Sequence, residues 1–95
     1  MAGKADGVAD LVEAILKKLP QPYSEDVIEE IFVAIESHER RLKRYEMLEA
    51  ELGKEVLNQW IGQHTRQQTG YESGEVVETT RTKLAQTYTK LRRTD

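Results

Sequence analysis

The sequence predicts an all-α fold: a compact single-domain bundle of about five helices, spanning roughly 7–19, 24–36, 38–52, 54–69 and 73–92, in orthogonal packing. Three observations carry that expectation. Apolar residues recur at three-and-four spacing through most of the chain, the period that places them on one side of a helix. No run of four or more residues alternates convincingly between apolar and polar, the mark of a half-buried strand. Finally, Pro20, Pro22, Gly53, Gly70 and Gly74 divide the chain into helix-length pieces. Tight corners at Gly53 and around Ser37 do not suit simple up-and-down topology, which points to orthogonal packing.

Residues 1–6 are short, polar and glycine-containing and are expected to fray, leaving 7–95 as one domain. In the first helix Val8, Leu11, Val12, Ile15, Leu16 and Leu19 occupy the positions of a buried stripe. Lys17 and Lys18 complement its negative end, and Pro20 stops it. Ser24 suits the N-cap of the second helix, with Glu25 and Asp26 in the first turn. Val27, Ile28, Ile31, Phe32 and Ile35 turn inward there, while Glu29, Glu30 and Glu36 form an acidic outer face around an exposed Val33. Carried on through Ser37, the stripe rotates by roughly a quarter turn before Leu48, so a break is expected with Ser37 capping a third helix. That helix turns Leu42, Tyr45, Leu48 and Leu52 inward and ends at Gly53 in the left-handed conformation.

The core is expected to centre on Lys54 to Thr69, which carries the only tryptophan. Val56, Leu57, Trp60, Ile61 and His64 make the buried stripe, and Asn58, Gly62, Thr65 and Thr69 the opposite, small and polar face. A mid-helix glycine costs about 1 kcal/mol relative to alanine, so Gly62 is either a tolerated surface glycine, a tight helix crossing within the domain, or part of a contact surface. Gly70 stops the fourth helix, and Ser73 opens a fifth with the stripe Val76, Val77, Thr80, Leu84, Tyr88 and Leu91. Thr79, Thr80, Thr82, Thr87 and Thr89 are mediocre helix formers, so this helix depends on packing against the others or on a second copy through Val77, Leu84 and Leu91.

Composition narrows the function. The 95 residues carry a net charge of −3 with 38% hydrophobic and 33% charged residues, enough for one modest core. The charge is uneven: residues 1–36 hold three Lys/Arg against eight Asp/Glu, and residues 37–95 eleven against nine. This is not the strongly basic signature of a protein that lives on phosphate backbones. The chain has no cysteine, hence no disulfide or thiolate metal site, which suits the cytoplasm. No apolar run approaches the roughly 20 residues that cross a bilayer, and the first residues lack a signal core, so no membrane partner is expected. His38 and His64 lack the spacing of a zinc pair, and no phosphate-binding glycine motif occurs. Ser24, Ser37 and Ser73 each have a capping explanation. No catalytic residue, cofactor or metal is therefore expected, and the chain does not read as an enzyme.

What remains is a small non-catalytic helical interaction or regulatory module that binds another protein or self-associates. Its expected contact face comprises Asn58, Gly62 and Thr65 on the fourth helix with Val33 and Glu29 on the second. The alternative is a DNA-binding regulator in which the third helix, Gly53 and the fourth helix act as a helix-turn-helix. Gln59, Gln63 and Arg66 are types that hydrogen-bond base edges, and Arg40, Arg41, Lys43 and Arg44 would take phosphates. The one-residue corner is shorter than the three-to-four-residue turn of that motif. A weaker reading gives the stretch 79–93, which has Arg81, Lys83, Lys90, Arg92 and Arg93 but no acidic residue, an acidic partner or RNA.

Overall fold

The computed structural model describes residues 4–94. Four helices, α1 (Lys4–Leu16), α2 (Val27–Glu36), α3 (Glu39–Leu52) and α4 (Lys54–Thr69), precede an antiparallel pair of strands, β1 (Glu72–Glu78) and β2 (Thr87–Arg92). The fold is thus α+β. The expected all-α bundle is wrong in its last quarter, where a β-hairpin replaces the fifth helix. Among the described residues no helix is long and apolar enough to cross a membrane.

The helices follow their apolar stripes, with shifts at the ends that have local causes. α1 begins at Lys4, inside the stretch expected to fray; residues 1–3 lie outside the described residues. After Leu16 the chain tightens into a turn, with Lys18 N–H donating to the Ile15 carbonyl at 2.9 Å. Ser24 does not cap α2. Its Oγ accepts from the Asp26 amide at 2.9 Å and its carbonyl from the Val27 amide at 3.1 Å, a local turn that delays the helix to Val27. The break at Ser37 occurs where expected, but Ser37 closes α2, its N–H bonded to the Val33 carbonyl, and an extended His38 precedes α3. Gly53 alone joins α3 to α4. Its φ of 85° and ψ of 148° lie in a region open essentially to glycine and far from the expected left-handed helical well.

One core joins all the elements. Val8, Leu11, Val12 and Ile15 of α1 meet Val27, Ile31 and Ile35 of α2, Tyr45 of α3 and Leu57 and Ile61 of α4, and the hairpin adds Leu84, Tyr88 and Leu91. The inward arc of α4 runs through Leu57, Ile61 and Thr65, rotated from the expected stripe: Val56 is exposed, Trp60 and His64 are half-buried, and Thr65 is fully buried. Thr65 tolerates burial because its hydroxyl donates to the Ile61 carbonyl at 2.7 Å, leaving only its methyl group to pack.

The hairpin explains its own disguise. Leu84, Tyr88 and Leu91 have helical spacing, yet Leu84 lies in the connection between the strands. Tyr88 and Leu91, three apart, project to opposite faces of β2. Both are buried because β2 is the inner strand: α2 and α4 pack against it, and the Glu25 carbonyl accepts from the Leu91 amide at 2.9 Å. Alternation in β1 is broken by a bulge between Ser73 and Val76, where two residues oppose Lys90 alone. A Cβ at Gly74 would lie 2.5 Å from the Lys90 carbonyl oxygen, so the bulge is closed by a residue without a side chain. The valines, tyrosine and threonines that make a mediocre helix are good strand residues.

Candidate functional site

β2 lies against the helices while β1 stands away from them, so the sheet and α4 diverge and leave a groove of about 670 Å³. Its floor is apolar, built from Ile28 and Phe32 of α2, Gly62 of α4 and Leu91 of β2. One wall is a single stripe of α4, Glu55, Gln59, Gln63 and Arg66, at the spacing that places side chains on one helix face. The other wall is the hairpin, with Ser73 and Val76 from β1 and Gln86, Thr87 and Thr89 from the second arm. Gly62 keeps the floor low: a Cβ there would sit 3.8 Å from Ile28 Cδ1, so α4 lies close over α2 with no side chain raised between them. Val76 is 66% exposed, a large apolar side chain standing open at the rim.

The hairpin wall is held in place by polar ties. Buried Glu29 accepts from the Thr79 hydroxyl at 2.6 Å and from Arg81 Nη1 at 2.8 Å. One turn pair further along α2, Glu36 accepts from the Thr82 hydroxyl and from the Lys83 amide at 2.7 Å. Tyr88 donates to Asp26 at 2.7 Å. Asn58 accepts from the Tyr45 hydroxyl at 2.7 Å and donates to the Leu84 carbonyl at 2.9 Å, bridging α3, α4 and the hairpin connection. Burial raises the Tyr45 phenol to about 12, opposed by its bond to Asn58. Burial, then the bond to Asp26, push the Tyr88 phenol further up. Burial raises the Glu30 carboxyl from its ordinary value, against the pull of Arg81.

The residues expected to form a contact face are therefore dispersed. Gly62 and Asn58 border the groove, although Asn58 spends its amide inside the molecule. Thr65 is buried, Glu29 is buried and paired, and Val33 is half-buried on α2. The acidic outer face of α2 is in part a seat for the hairpin. Of the residues considered for DNA, Gln59, Gln63 and Arg66 line the groove, and Arg40, Arg41, Lys43 and Arg44 lie apart from it on α3. The basic stretch 79–93 is not one helical face: Arg81 serves Glu29, and Arg92 donates to the Ser73 carbonyl at 3.2 Å. Leu84 and Leu91 are buried within the chain rather than free for a second copy.

Glu55, Ser73, Val76, Gln86, Thr87 and Thr89 were not among the expected site residues. Glu55 was within reach, since Glu55, Gln59, Gly62 and Arg66 follow helical spacing; the hairpin residues were hidden by the wrong element. Chemically the groove offers amides and hydroxyls that both donate and accept, over an apolar floor, with one carboxylate and one guanidinium. His38 and His64 are not among its lining residues, and among the described residues no group of three or more His, Cys, Asp or Glu could hold a metal ion. No protein-family model, curated protein or solved structure matches this chain.

Proposed function

We propose that this chain is a non-catalytic interaction module that holds an extended polypeptide segment of a partner protein in the groove between α4 and the hairpin. The observation that carries the reading is the composition of the groove walls. Gln59, Gln63 and Gln86 together with Thr87 and Thr89 present donors and acceptors in mixture, which matches a peptide main chain with its alternating N–H and C=O groups. The exposed Val76 and the apolar floor offer purchase to a side chain of the bound segment. The chain's lack of cysteine suits a reducing compartment, the cytoplasm.

DNA binding remains the second reading, favoured by the basic run Arg40, Arg41, Lys43 and Arg44 at the start of α3, which is in no ion pair among the described residues and whose positive charge opposes the helix dipole. Phosphates call for several cations, however, and the groove supplies one, Arg66.

The test is selection of binding peptides from a displayed random library, followed by affinity measurement on the V76R and Gln63→Trp variants. Both positions are exposed, so the fold is expected to survive both changes, which circular dichroism checks. Each variant should weaken the selected peptides by at least roughly tenfold, the size of a lost interface anchor. Peptides that bind both variants as well as the unaltered chain would refute the groove. Salt-dependent binding of a DNA duplex that is lost in a variant with all four α3 cations changed to glutamine would favour the second reading.

A further inference from the structure

We infer that the groove is oppositely charged at its two ends and selects a segment carrying a positive and a negative charge four or six residues apart. The inference rests on the reading of the groove as a peptide site. Glu55 in the first turn of α4 and Arg66 in its last turn both line the groove. Eleven residues separate them in sequence, about 16 Å at 1.5 Å per helical residue. Eleven steps of 100° also return to within about 20° of the starting direction, so both side chains stand on one face. An extended segment rises about 3.3 Å per residue and turns every second side chain to the same face, so charges four or six residues apart, about 13 or 20 Å, bracket that distance on one face within side-chain reach.

Both ends are free to act on a ligand. Glu55 and Arg66 are exposed, and neither is in an ion pair among the described residues, whose ion pairs are Lys17 with Glu13 and Arg81 with Glu29. Arg66 is also oriented: its Nη1 donates to Ser73 Oγ at 3.0 Å, which pins the guanidinium against the hairpin wall and leaves its other donors for a carboxylate. Between the charged ends the α4 wall offers only the neutral amides Asn58, Gln59 and Gln63 and the bare backbone at Gly62. A segment with the complementary spacing satisfies both ends at once. One with two close charges, or two charges of one sign, leaves an end unsatisfied or opposed.

The experiment uses synthetic peptides of alternating threonine and valine carrying a lysine and a glutamate four or six positions apart, made in both chain directions. Controls carry the same charges two apart, or glutamine in place of both. Fluorescence anisotropy and amide chemical shifts are followed on the full chain. In one chain direction the four- or the six-spaced peptide should bind roughly tenfold tighter than the neutral one, the yield of two exposed ion pairs. The double reversal E55R with R66E should transfer that preference to the opposite chain direction. Equal binding of four-spaced, six-spaced, two-spaced and neutral peptides, with shifts at Gln59 and Val76, would overturn the charge selection and leave the groove reading standing. Absence of binding by every peptide would overturn both.

Discussion

The helical part of the molecule and its hairpin are held by different forces. Helices α1 to α4 meet through apolar side chains; among the described residues only the Tyr45–Asn58 and Gln68–Ala9 hydrogen bonds join one helix to another through a side chain. The hairpin contributes three core residues, Leu84, Tyr88 and Leu91, and is otherwise tied by hydrogen bonds to carboxylates of α2 and to its N-terminal approach, with Asn58 and Arg66 of α4 adding one each. A two-stranded sheet alone is marginal in water, so the ties decide whether β1 stands where the groove needs it. The helical part resists anything that does not open its core, whereas the hairpin can be released by altering a few polar atoms.

The largest effect expected is on the helical side of that contrast. Ile31→Ala removes a fully buried side chain from α2 and should cost about 2–5 kcal/mol, read as a lower urea midpoint for helix and hairpin signals together. Next comes Glu29→Gln, which keeps the shape but loses the charge facing Arg81 and one acceptor. About 1–3 kcal/mol is expected, since Arg81 is itself well exposed and solvent screens the pair. Hydrogen exchange should locate that loss in the amides of β1 and β2, with α1 and α4 still protected; equal loss of protection in α1 would erase the distinction between the two parts.

The smallest effect at ordinary pH becomes visible only in alkali. The phenols of Tyr45 and Tyr88 titrate higher in the folded chain than the ordinary value of 10.0, so folding favours their neutral forms. Their contribution is fully present below pH 10, declines as pH rises, and for Tyr45 is gone above about 12. Urea midpoints should fall between pH 9 and pH 11.5 in the unaltered chain and less steeply in the Y45F variant. An identical fall in both would remove Tyr45 as the cause.

What was readable in the sequence divides along the same line. α1, α2 and α4 announce themselves because burial against other helices leaves one apolar stripe each, and the boundaries Lys54 and Thr69 follow from Gly53 and Gly70. The hairpin was unreadable by pattern because Leu84, Tyr88 and Leu91 mimic a helical stripe and the Gly74 bulge breaks the alternation of β1. Composition carried the better signal: threonine and valine crowding is a strand preference, and it was overridden by spacing. The site suffered in proportion. Its α4 wall was partly visible as Gln59, Gln63 and Arg66, its hairpin wall not at all; Glu29 looked exposed because its partners Thr79 and Arg81 lie 50 and 52 residues away, and Thr65 because a hydroxyl satisfied by the Ile61 carbonyl of its own helix reads as polar surface.

The ties on α2 also impose an order of events on the ribosome. Thr79 and Arg81 follow Glu29 by 50 and 52 residues, and Tyr88 follows Asp26 by 62. At roughly 5–20 residues per second, several seconds of synthesis separate these carboxylates from their partners. Through that interval they stay hydrated beside the most aliphatic helix of the chain and keep the nascent α2 in solution. When the final strand emerges, the same groups cease to be solubilising charges and become the latch that completes the fold.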